Sequence, residues 1–197
     1  MRGPLTDDEV EDLYARATSP EKHRAAAEKL EAWAAEPHPD DAVNPAALLV
    51  RAGEHLTAAG DHDGAVVLFR RAVAAGQPVP PDVRCYLHSG LLEAGDVEGA
   101  RELADELRRE RSADGDVHLF VGEAYELAGD LRQAHRWLTL GAQRALADVE
   151  DGDFSAADDA PGLLMARLRV RDALGLPLDD YDALVTSALL GERVAPD

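Results

Sequence analysis

Cys85 and His88 stand three residues apart, so on a helix they are neighbours and could pair a thiolate with an imidazole. A reactive thiolate also needs an electropositive, partly exposed setting, and the pair is read here as structural. The chain has seven histidines, but no two stand at the i, i+4 spacing of a helical zinc pair and His-Glu-x-x-His is absent. His118 and His135 fall in different helices, and His62 lies in a turn with Asp61 and Asp63, where capping explains the carboxylates. From Asp148 to Asp159 six carboxylates crowd one stretch. A calcium loop needs acids at alternate positions before a glycine at position six; counted from Asp148, the glycine is fifth, so a mobile acidic loop is expected. No Gly-rich phosphate loop, serine elbow or paired-carboxylate motif is recognisable. No catalytic residue, metal site or cofactor is expected, and the chain is not read as an enzyme.

With no reacting group in view, the candidate site is a surface, and the helices decide which residues share it. The phrase Ala-Gly-Asp recurs at 59–61, 94–96 and 128–130, its glycines 35 and then 34 residues apart. A period of this size marks units that bury their apolar faces by stacking on neighbours. Before each phrase, apolar residues recur at helical spacing: Leu48, Leu49, Ala52 and Leu56; Val83, Leu87, Leu91 and Leu92; Leu119, Val121, Ala124 and Tyr125. After it comes a second set: Ala65, Leu68, Phe69 and Ala72; Ala100, Leu103, Ala104 and Leu107; Ala134, Trp137, Leu138 and Gly141. Glycine suits the left-handed residue that ends one helix, and the aspartate can cap the next. Each unit is therefore expected to be helix, tight turn, helix.

These residues resemble the tetratricopeptide repeat (TPR), whose pattern reads Trp-x2-Leu-Gly-x2-Tyr, then Ala-x3-Phe, then a terminal Pro. Gly53, Ala65, Phe69 and Ala72 carry the likeness in the first repeat, and Gly122, Tyr125 and Ala134 in the third. The second keeps Ala100 but has His88 where a small residue is usual, so looser packing is expected there. The resemblance implies an all-α fold, a TPR-like right-handed α-α superhelix of about ten antiparallel helices in one continuous solenoid domain. Residues 1–36 would form an N-terminal helix pair, a degenerate repeat or cap, begun by a Thr6/Glu9 capping box and, after it, a Ser19-Pro20 helix start. Residues 46–147 would hold three repeats (46–80, 81–114 and 115–147), 148–160 the acidic loop and 161–190 a capping helix pair. Pro37 with Pro39, and Pro78 with Pro80 and Pro81, break the helices between units. The tail from Arg167 to Pro177 is similar to the end of bacterial TPR proteins, some of which carry a Cys-rich zinc module of the SEC-C type; a single cysteine cannot build one.

In the family so resembled, the concave groove is lined by first helices. The resemblance places there Ala47, Val50, Glu54 and Thr57; Asp82, Cys85, Ser89 and Leu92; Asp116, Leu119, Glu123 and Glu126. Members that clamp a peptide's terminal carboxylate use Lys, Arg and Asn at such places, whereas acids here would repel it and suit a basic amphipathic segment. Composition agrees: 39 acidic against 20 basic residues give a formal charge of -19, which disfavours nucleic acid and attracts basic partners. The one cysteine excludes an internal disulfide. The first ten residues show no secretory signal and no apolar run is long enough to span a bilayer, so a cytoplasmic protein without membrane contact is expected. The leading expectation is a non-catalytic protein- or peptide-binding scaffold. Its rivals are a self-associating structural module and a small-ligand sensor. The partner's identity and the oligomeric state are not legible in the sequence.

Overall fold

The computed structural model describes residues 2–110, 114–152 and 159–190, with side chains through 185. Among these residues there are ten helices and no strand: α1 Asp7–Arg16, α2 Pro20–Ala35, α3 Pro45–Ala58, α4 His62–Ala75, α5 Val83–Glu93, α6 Val97–Glu110, α7 Gly115–Leu127, α8 Leu131–Glu150, α9 Ala160–Ala173 and α10 Asp180–Leu190. The fold is all-α, and among the described residues no helix is long and apolar enough to cross a membrane. The chain divides into two compact units, Met1–Leu107 and Arg108–Asp197, and the division falls inside α6.

The three Ala-Gly-Asp turns are built alike. Gly60, Gly95 and Gly129 take φ of 77°, 82° and 82°, a region open to glycine at little cost. The next amide, of Asp61, Asp96 or Asp130, donates back to the carbonyl of Leu56, Leu91 or Tyr125 at 2.9, 2.8 and 2.9 Å. Each aspartate side chain then accepts the amide three residues on, from Gly64, Gly99 or Gln133, at 3.0, 3.0 and 3.2 Å. One motif therefore closes a helix and opens the next. A fourth copy ends α9: Gly175 has φ 67° and the Leu176 amide donates to the Arg171 carbonyl at 3.0 Å. There Leu176 replaces the aspartate, and Asp179 caps α10 by accepting the Asp182 amide at 3.2 Å. The capping box at Thr6 is present, with Thr6 and Glu9 exchanging amide bonds at 3.0 and 3.3 Å.

In the first unit, α3 packs on α1, α2, α4 and α5. Its centre is the Phe69 ring. A Cβ added at Gly53 would fall 2.4 Å from one edge of that ring, and one at Gly90 would fall 2.8 Å from the other. The ring lies in contact with backbone from two successive helix pairs, a seat that only glycine leaves open. One repeat on, His88 stands at the place of Gly53 and Ala104 at the place of Phe69; both are buried, at 0% and 3% exposure. At this place the larger residue of the pair stands on the first helix, where His88 is fully buried. In the second unit, where α7, α8 and α9 pack on one another and α10 on α9, the pair is Gly122 and Leu138, an added Cβ lying 2.6 Å from the leucine.

Candidate functional site

Counting back from the shared turns puts Val50, Cys85, Leu119 and Met165 at one place on successive first helices, and Glu54, Ser89, Glu123 and Arg169 at another. In the first unit, α1, α3 and α5 touch in succession, and the first of these places is buried beneath them. Val50 is 2% exposed and Cys85 0%, so neither lines a groove as the resemblance implied. Both are core residues, and the Cys85 thiol is out of reach of solvent reagents. Ala47, Glu54, Thr57, Ser89 and Leu92 are half-buried and remain on the accessible face.

The acids of that face are engaged within the chain. Glu54 accepts from Arg51 at 2.9 Å. Asp82 is the cap of α5: it accepts the Arg84 amide at 2.8 Å and the Arg84 guanidinium at 2.8 Å. Burial opposes ionisation of Asp82, yet Arg84 holds its carboxyl below the ordinary value. Tyr86 stands one repeat on from Arg51 and donates its hydroxyl to the Pro80 carbonyl at 2.8 Å. Burial pushes its phenol up, and Glu54 adds to the shift. Arg51, Glu54 and Tyr86 thus form a mixed-charge cluster on α3 and α5, of which sequence reasoning named only Glu54.

In the second unit Asp116 is exposed in the first turn of α7, Leu119 is half-buried, and Glu123 and Glu126 follow on the same helix. Both glutamates face Arg169 of α9. Its Nε donates to Glu126 Oε1 at 2.8 Å, and one terminal nitrogen donates to Glu126 Oε2 at 2.7 Å and to Glu123 Oε1 at 3.2 Å. Glu126 above all raises the Arg169 pKa beyond its ordinary value. The acidic pair expected to meet a basic partner is already bridged by an internal arginine. The period could have revealed it, since Arg169 occupies the place of Glu123, but the two are 46 residues apart and 12 extra residues hide the register.

Two further groupings escaped sequence reasoning. Tyr14, His23 and His55 gather their rings at 5.0 to 5.2 Å between α1, α2 and α3, with the two histidine Nδ1 atoms 2.8 Å apart. One Nδ1 must donate and the other accept, so the two rings do not share the charged form. Burial first, then His23, lowers the His55 pKa to about 4. The second grouping joins α8, α9 and α10. Arg167 and Arg171, 3% and 8% exposed, stand where earlier repeats carry Ala52, Leu87 and Val121, and Leu56, Leu91 and Tyr125. Arg167 donates to Asp182 at 2.7 Å, Asp179 at 3.0 Å and Thr139 at 3.1 Å; Arg171 donates to Asp182 at 2.8 Å and to His135 Nε2 at 3.3 Å. An ion network has replaced the apolar seam of a helix pair.

Of the acidic stretch, Asp148 and Glu150 are helical residues of α8, and Asp159 accepts the Gly115 amide at 3.2 Å. Residues 153–158, on which the expectation of a mobile loop partly rested, lie outside the described residues. His62 faces Glu93 at 3.3 Å, and Asp61 is a helix cap. Among the described residues no three His, Cys, Asp or Glu side chains are grouped to hold a metal ion. No family model, curated protein or solved structure matches the chain.

Proposed function

We propose that the chain is a non-catalytic helical-repeat scaffold of the TPR kind, which binds a basic protein segment on its first-helix faces in the cytoplasm. One observation carries the reading: four turns of the same hydrogen-bonded geometry hold first helices whose accessible residues differ from pair to pair. A uniform frame with a variable face suits recognition, and the surplus of carboxylates supplies attraction for a cationic segment. The internal arginines change how such a segment binds. It must exchange with Arg51 or Arg169 for a carboxylate, and exposed pairs of this kind are worth only about 0–1 kcal/mol, so exchange is inexpensive.

Arg169→Gln frees Glu123 and Glu126 and is expected to strengthen capture of a Lys/Arg-rich amphipathic peptide several-fold at low salt. Glu123→Gln with Glu126→Gln is expected to weaken it. The check is fluorescence anisotropy at two salt concentrations; equal binding by all three proteins rejects the assignment. Self-association is the second reading, favoured by Met165, Leu176 and Leu178, which are 44%, 40% and 69% exposed. A chain that ignores the peptide and runs as a stable dimer would favour that reading.

A further inference from the structure

A cavity of about 390 Å³ opens on the second-helix side of the Arg108–Asp197 unit, along α8. Its volume is that of a small-ligand site. Trp137 and Leu140 give it an apolar wall, Trp137 being 6% exposed. Around them stand Arg108, Arg136, Gln133 and Gln143. Among the described residues no carboxylate lines the cavity, although acids outnumber bases 39 to 20 in the chain. Three other cavities include Glu9 and Asp12, Asp82, or Asp172 among their walls.

His135 and Thr139 close the inner side, and both are tied to the buried network, His135 to Arg171 at 3.3 Å and Thr139 to Arg167 at 3.1 Å. That network sets two arginines against Asp179 and Asp182, so it leaves no net charge beneath the cavity. Arg136, exposed at the rim, sets the sign of the site. We infer that the α8 cavity binds a small carboxylate with an apolar body, its tail against Trp137 and Leu140 and its carboxylate at the rim. A guanidinium offers a carboxylate two parallel donors, and the glutamine amides add neutral donors beside it. An amine would meet the Arg136 charge and only neutral acceptors, the glutamine amides, the Thr139 hydroxyl and the His135 ring.

The chain carries two tryptophans, Trp33 and Trp137, so Trp33→Phe leaves Trp137 as the single reporter in the full-length protein. Octanoate is expected to change its fluorescence saturably, whereas octylamine and octan-1-ol at equal concentration leave it unchanged or act much more weakly. Arg136 is exposed, so Arg136→Gln should leave the urea midpoint in place and raise the octanoate dissociation constant roughly tenfold. Gln143→Glu, which adds a carboxylate to the rim, should weaken octanoate in the same direction. No saturable response to octanoate overturns the inference. So do an equal response to octylamine and unchanged binding in both rim variants.

Discussion

Asp182→Ala should cost the C-terminal helix pair about 3–5 kcal/mol, because two buried guanidinium groups lose their buried carboxylate and are left to share the half-exposed Asp179. Asp182 is 1% exposed and receives Arg167 at 2.7 Å and Arg171 at 2.8 Å. It also accepts the Asp179 amide at 3.0 Å, so the same side chain helps start α10. Loss should appear as an early urea transition with a fall in helical ellipticity, and a single transition at the parent midpoint would refute it. The converse variant, Arg167→Met with Arg171→Met and Asp182→Leu, restores the apolar seam of the other pairs and should be neutral or stabilising. The network is also acid-labile. Arg167 holds the Asp179 carboxyl well below its ordinary value, so the folded state binds that proton less readily than the unfolded chain. The stabilisation is complete above the unfolded carboxylate range near pH 4 and is lost as pH falls below it.

Gly53→Ala is the second large effect. The added methyl meets the Phe69 ring at 2.4 Å, and the ring has little room to retreat because its far edge faces Gly90, where an added Cβ would itself lie only 2.8 Å away. Overpacking of this kind costs about 1–3 kcal/mol. The repeat itself supplies the compensating change: Gly53→His with Phe69→Ala reproduces the His88 and Ala104 arrangement of the next repeat. Phe69→Ala alone should cost about 3–5 kcal/mol, and the double variant should be less destabilised than the two single changes added together. Additive losses in a double-mutant cycle would show that the two positions do not share one volume.

The helices, their turns and most of the core were legible because they rest on local rules. A glycine that must be left-handed and an aspartate that must cap were visible in the spelling of Ala-Gly-Asp, and the geometry at Gly60, Gly95 and Gly129 follows it. Size exchange was only half legible: His88 read as a misfit because its partner Ala104 lies 16 residues away on another helix. The candidate face was least legible. Whether Glu123 is open depends on which residue the next pair puts beside it, and the insertion before α9 broke the count that leads to Arg169. Val50 and Cys85 were misplaced because a family pattern gives a helix face its register but not the depth to which neighbouring helices cover it. The burial of Arg167 and Arg171 was not legible for the related reason that their acids, Asp179 and Asp182, lie just before and within α10.

The ring of Phe69 belongs to α4 but rests on glycines of two different pairs, Gly53 of its own and Gly90 of the next. In a stack of repeats, cooperativity is set by how strongly each unit is bound to its neighbour relative to how well it holds itself. One side chain here contributes to both. Helix α5 cannot swing away from α4 without uncovering the residue that holds α3 to α4. The amides of α3, α4 and α5 should therefore open to hydrogen exchange together, as one foldon that ignores the boundary between repeats.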